Sequence, residues 1–187
     1  MAGKMILHDR RLIGNAPPTA PNIYVVDATV PIRHCIGWVT TYARSQGGLS
    51  ELSIMCHGYE SYADHRNQVT QNNLVLGFGL QLCLEGLTLY NIQLAASWHG
   101  LIQRIVVYSC GPANTRDGYE GSPGDGMRFC GELAMWSGAE VIAGAATQRY
   151  SGASATGTIN FGAWEGPVYQ FNAMNGQPHL LWPGEHP

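Results

Sequence analysis

The chain has 187 residues, of which 45% are hydrophobic and 12% charged, with a net charge of −3. Its ten lysines and arginines do not cluster, which excludes the basic footprint of a nucleic-acid or anionic-membrane partner. No apolar run approaches the roughly 18 residues of a spanning helix, and the length fits one domain with a sizeable core.

The charged fraction is about half the usual level. With 24 glycines, this predicts a sheet-rich core, tight turns and a surface of Ser, Thr, Asn and Gln. Five cysteines are present, none spaced as C-x-x-C, and Cys56, Cys83 and Cys110 lie in or beside apolar runs. That usage fits free thiols in a reducing compartment. Met1 to Asp9 lacks the roughly 7–15-residue apolar stretch of a secretory leader. The expected location is therefore the cytoplasm, or outside the cell by a signal-independent route.

Residues 1–21, with Pro17, Pro18 and Pro21, read as an extended lead-in, and residues 22–187 as the domain. Asn22 to Ala28 is rich in β-branched and aromatic residues and predicts the first buried strand. Apolar positions at Ile32, Cys35, Ile36, Val39 and Tyr42 predict a helix that Gly47-Gly48 ends. Leu52-Ser53-Ile54-Met55-Cys56-His57-Gly58 predicts a second buried strand. Tyr59 to Asn73 reads as a polar loop over the sheet edge. Leu74 to Leu89 reads as a hairpin, followed by a helical spacing that stops before Gly100. Arg104 to Gly111 predicts another buried strand. A glycine-rich loop, a helix over Met127–Trp136 and a strand over Ala139–Gly144 follow. Thr158 to Phe161 reads as a further strand, and Val168 to Asn172 as one arm of a hairpin turning at Asn175-Gly176. Alternating strands and helices imply an α/β fold with a mostly parallel sheet and helices on both faces.

Open α/β sheets bind ligands outside the carboxyl ends of their strands. Two apolar strands here end in a reactive group beside glycine: His57-Gly58 and Cys110-Gly111. An imidazole next to a thiol draws off its proton and can return it to a leaving amine. Backbone amides of Gly58 and of Cys110 itself can cradle the oxyanion that forms, and glycine leaves room for substrate. Cys56 adjoins His57, but successive strand residues point to opposite faces, so Cys56 is expected to pack against a helix. Taken singly, a strand-end histidine or cysteine is often inert packing. His34, His65 and His99 lack the spacing of a metal set, and His8, His179 and His186 read as surface groups. Gly77-x-Gly79 lacks the rest of a dinucleotide loop.

The order histidine-glycine then cysteine, each closing a hydrophobic strand, resembles the caspase-like cysteine peptidases, and among them bacterial CHAT-type domains. Gly77 to Leu82, Leu87 to Leu89, Ile105 to Cys110 and Phe129 to Ala134 leading to Gly144 carry the likeness, which spans about residues 22–165. The resemblance implies a three-layer α/β/α sandwich that hydrolyses peptide bonds without metal or cofactor. His57 would be general base and acid, Cys110 the nucleophile, and the Gly58 and Cys110 amides the oxyanion hole. Asp27, Tyr108 and Arg149 would contact substrate. Asp27 would favour a basic residue before the cut, and Arg149 an acidic one. The caspase Gln-Ala-Cys-x-Gly signature is absent, since Tyr108-Ser109-Cys110-Gly111-Pro112 stands there. The implied partner is a protein or peptide, with pairing of two copies through a sheet-edge strand such as Val168 to Phe171. A bacterial effector or toxin fits these features. A non-catalytic binding module, or an acyltransferase or deamidase using the same dyad, are the competing readings.

Overall fold

The computed structural model describes residues 3–59, 70–71, 74–75, 79–115, 120–121 and 125–182. In chain order the first strands and helix are β1 (Gly3–Asp9), β2 (Asn22–Val26), α1 (Ile32–Ser45) and β3 (Leu49–Met55). Short strands follow: β4 (His57–Tyr59), β5 (Thr70–Gln71), β6 (Leu74–Val75), β7 (Gly79–Gln81) and β8 (Leu87–Thr88). A 3-10 helix (Ile92–Trp98) leads to β9 (Arg104–Tyr108), then α2 (Gly126–Ser137) and β10 (Glu140–Gly144). Strands β11 (Val168–Phe171) and β12 (Pro178–Trp182) close the sequence of elements.

Seven strands form the central sheet in the order β12-β11-β10-β9-β3-β1-β2. All pairs from β10 to β2 are parallel, and β11 and β12 add antiparallel beyond β10; β12 is the edge, so Val168–Phe171, expected as an edge strand for pairing, lies inside the sheet. The expected α/β class with a mostly parallel sheet is therefore the fold. Strands β3 and β9 are flanked on both sides; β9 carries the continuous apolar run Ile105–Tyr108, whereas Ser50, Glu51 and Ser53 interrupt β3. Several features differ from expectation, among them His8, read as a surface group and here 2% exposed, and a second sheet face that carries no helix among the described residues. Residues 3–9, placed in the lead-in, form β1 in the interior of the sheet, with Met5, Ile6 and Leu7 at 0–1% exposure. Thr158–Phe161 is not a strand; it makes single bridges from Thr158 to Asn15 and from Asn160 to Ser151.

One face of the sheet carries Met5, Leu7, Leu52, Ile54, Ile105, Val107, Val141 and Ala143 and packs on α1, α2 and the 3-10 helix. The opposite face carries Ile6 and Met55, packed with Leu12, Ile159, Tyr108, Tyr150 and Phe161. Among the described residues this third layer consists of irregular segments rather than helices. Tyr108 stacks with both Phe161 at 4.9 Å and Trp164 at 5.3 Å between ring centroids, so aromatic contact substitutes for a helical cover.

Helix α1 buries Ile32, Cys35, Ile36, Val39 and Ala43 at three- and four-residue steps. Pro31 precedes it and provides no side-chain cap. The orphan amide of Ile32 instead donates to the Glu85 carboxylate at 2.7 Å, a cap supplied from across the fold. Helix α2 is capped locally. The buried Asp125 carboxylate accepts from Arg128 N at 2.9 Å, Thr115 Oγ1 at 2.6 Å and Gly121 N at 2.7 Å. Gly138, with φ 65°, ends the helix.

Burial pushes the Asp125 carboxyl up, but the Thr115 hydroxyl, the two amides and the Arg128 charge outweigh it and hold the group below the ordinary carboxylate range. A depressed folded-state value contributes stability at pH above the unfolded value, and that contribution disappears as pH falls through the folded value. Asp125→Ala is expected to cost roughly 1–3 kcal/mol near neutral pH. Thermal melts of the two proteins should converge as the pH is lowered from about 5 to below 3.

Candidate active site

Strand β1 leads to β2 on one side, and the chain then crosses back to β3 on the other side of β1. The switch in direction lies between β1 and β3, where open α/β sheets form a crevice at the carboxyl ends of their strands. Asp9 ends β1, Met55 ends β3 and Tyr108 ends β9. The parallel register pairs Met55 with Tyr108, and Cys56 N donates to Tyr108 O at 3.2 Å. Two residues further on, His57 and Cys110 leave the sheet from neighbouring strands at the same rim. Gly58 lies so close to Cys110 that an added Cβ would strike the Cys110 carbonyl oxygen. The structure thus brings Gly58 against the Cys110 backbone, with His57 next to Gly58 in the chain.

His57 is held from the β1 side. Its Nε2 lies 3.0 Å from the Arg11 carbonyl oxygen. A carbonyl only accepts, so Nε2 carries the proton and Nδ1 is the basic nitrogen of the neutral ring. The Cys110 sulfur lies 3.9 Å from the Gln148 carbonyl oxygen. Gln148 is itself buried, and its amide donates to Phe161 O at 2.8 Å and Ala163 O at 3.0 Å. The turn after Cys110 is pinned to the end of β10, with Gly111 N donating to Ala146 O at 2.9 Å and Ala113 N to Gly144 O at 3.1 Å. Both ends of the pair therefore rest on backbone that other elements fix.

All five cysteines are free thiols, and only Cys110 is not buried. Cys56 lies in the helix-side core at 1% exposure, as the alternation of strand side chains requires. Burial, then the nearby Asp9 charge, pushes its thiol far up, against the opposing Ser109 hydroxyl that it contacts. Burial likewise raises Cys130. For Cys83 the hydrogen bond with Cys35 acts first and burial second.

The three candidate substrate contacts are spread out. Tyr108 lines a cavity of about 740 Å³ on the irregularly covered face of the sheet, together with Met55, Glu51, Ser53 and Phe161. Burial and the Glu51 charge raise its phenol. Arg149 follows Gln148 directly, but its side chain is 88% exposed and lies 3.8 Å from Glu165. Asp27 follows β2, the outer strand, so β1 and β3 separate it from β9. Its carboxyl is bonded to the Thr29 hydroxyl at 2.6 Å and amide at 2.9 Å, and these bonds hold it below the usual range. With β1 inside the sheet, the strand end beside the crevice belongs to Asp9 and not to Asp27. A groove of about 640 Å³ along α1, lined by Arg33, His34, Trp38, Thr41, Tyr42 and Ser45, contains no cysteine.

Sequence reading did not single out Asp9, Arg11 or Gln148. Two of these act here through backbone carbonyls, which no residue type announces. Asp9 had one available signal, a carboxylate closing an apolar run, which reads as a turn residue unless the run is recognised as an interior strand.

No family model, curated protein or solved structure matches the chain. No helix among the described residues is long and apolar enough to cross a membrane.

Proposed function

We propose that the protein is a cysteine endopeptidase of the caspase-like type, with His57 and Cys110 as its dyad. The observation that carries this reading is the delivery of both side chains to one rim by adjacent parallel strands, with His57 already fixed in the tautomer that leaves Nδ1 basic. In the proposed reaction the Cys110 thiol passes its proton to His57 Nδ1, and the thiolate attacks the scissile carbonyl carbon. The oxyanion forms beside the Gly58 and Cys110 amides. Collapse expels the amine, which takes the proton from His57, and leaves a thioester on Cys110. Water, deprotonated by His57, then attacks the thioester, releasing the acid and restoring the thiol. The substrate is a protein or peptide, with Tyr108, two residues before Cys110, and Arg149, next to Gln148, as candidate contacts. No cofactor enters this scheme.

The outer strand β12, with Leu180, Leu181 and Trp182 exposed, supports pairing of two copies at that edge. The ten dispersed basic residues favour neither nucleic acid nor membrane as partner, and the free thiols suit a reducing compartment.

The test is incubation of a proteome with the purified chain, followed by mapping of new N-termini by mass spectrometry. New termini that vanish with Cys110→Ala are expected, and their flanking residues report the specificity. Modified side chains without new termini would replace the peptidase reading by transfer or deamidation. No change of either kind would favour a binding module.

A further inference from the structure

The turn that supplies the His57 acceptor is built around an ion pair. Asp9 is fully buried, while the Arg11 side chain is 27% exposed. The Asp9 carboxylate accepts from Arg11 N at 3.1 Å, Arg11 Nε at 2.9 Å and Arg11 Nη2 at 2.7 Å. It also accepts from Cys83 N at 2.9 Å, and Arg11 Nη2 donates to Cys83 O at 2.7 Å. Cys83 follows the β7 segment and has φ 61°, the one non-glycine positive φ among the described residues. Both backbone groups of this strained residue are thus held by the same pair. Three further bonds close the turn: Leu12 N to Asp9 O at 3.0 Å, Arg10 N to Val26 O at 2.9 Å, and His8 Nε2 to Leu12 O at 2.9 Å.

A planar guanidinium gripped in this way fixes the Arg11 peptide as well as its side chain. A buried carboxylate needs such pairing, so the turn cannot relax without exposing a charge to the core. The geometry points to Asp9 and Arg11 as positioning residues for His57: their ion pair aims the Arg11 carbonyl at Nε2 and thereby keeps Nδ1 free to act as the base. This inference rests on the dyad reading and adds to it the device that sets its tautomer. Strain at Cys83 has a place in this account, because left-handed backbone at a non-glycine residue persists only where surrounding contacts enforce it.

The charged and titratable groups on the elements that meet here are His8, Asp9, Arg10 and Arg11 from β1 and its turn, Asp27 after β2, Cys35 of α1 against Cys83, Cys56 and His57 after β3, Cys83 after β7 and Cys110 after β9. The experiment uses the full chain and follows iodoacetamide alkylation of Cys110 by peptide mass spectrometry from pH 5 to pH 9. It compares wild type, His57→Ala, Asp9→Asn and Arg11→Lys, each checked for folding by thermal melt. At pH 6.5, Asp9→Asn and Arg11→Lys are expected to slow Cys110 alkylation about tenfold, with profiles moving toward that of an ordinary thiol. In parallel, the ¹⁵N shifts of the wild-type His57 ring should report a proton on Nε2 and a bare Nδ1. A wild-type profile that His57→Ala leaves unchanged would overturn the dyad, and this inference with it. A His57-dependent profile that both folded variants retain would overturn the positioning role alone, as would a wild-type ring protonated at Nδ1. If Asp9→Asn does not fold, Arg11→Lys and the ring shifts decide the question.

Discussion

Replacing Cys110 by alanine is expected to abolish labelling by a peptidyl acyl electrophile, and replacing His57 by alanine to slow that labelling by about a hundred- to ten-thousand-fold. The magnitude follows from proton transfer. An unassisted thiol with a pKa near 8.5 is only about 1% thiolate at pH 6.5, whereas an imidazole partner keeps the nucleophile ionised or takes its proton on attack. The other four cysteines are buried, so the background in folded protein is low. Cys56 is the sharpest control, because it adjoins His57 in sequence but lies in the helix-side core, with its thiol raised. Rapid labelling of Cys110 that survives His57→Ala would remove the histidine from the mechanism. Labelling at Cys56 instead would reverse the assignment of the nucleophile.

Gly58→Ala is expected to damage the site as severely, through sterics rather than chemistry. The new methyl would strike the Cys110 carbonyl and lie 2.7 Å from Ser109 Oγ. Neither atom belongs to the far end of a flexible side chain, since Cys110 is backbone and Ser109 is buried at 2% exposure. Relief requires β4 and the end of β9 to part, which separates His57 from Cys110. A loss of roughly 1–3 kcal/mol of stability is expected from overpacking, together with loss of the rapid Cys110 labelling. Gly37 is the matched control. It lies within α1, where an added Cβ meets nothing within 4 Å. Gly37→Ala should therefore raise stability by about 0.5–1 kcal/mol through helix propensity. Equal melting temperatures for the two variants would show that the contact at Gly58 yields more easily than the backbone geometry indicates.

The parts of the fold that were legible in the sequence share a cause. Strands β3 and β9 and helix α1 announce themselves because burial on both faces, or on one helical face, writes a continuous or periodic apolar pattern. The α1 span of Ile32–Ser45 follows its own spacing closely. Strand β1 was not legible, because its apolar core of Met5, Ile6 and Leu7 is short. His8 and Asp9 follow it, and they are buried only because Leu12, Arg11 and Cys83 satisfy them. Polar residues that read as a turn are here the end of an interior strand. The irregular third layer was hidden for a related reason. Tyr150, Phe161 and Trp164 cover the sheet by aromatic packing without periodicity, so nothing in their spacing distinguishes them from surface loop. The proposed dyad was legible as two strand ends. Its acceptors at Arg11 and Gln148 were not, because a carbonyl oxygen belongs to every residue.

The order of the seven strands also bears on how the molecule is made. Strand β1 emerges first, and β2 and β3 join its two sides. After that, β9, β10, β11 and β12 each dock on the strand synthesised before them in the sheet. No later strand has to wedge between two already joined, so the sheet can accrete outward during translation without reopening. The His57 end of the candidate rim would then be laid down early, with β1 and β3, whereas the Cys110 end waits for β10 and Gln148 to arrive.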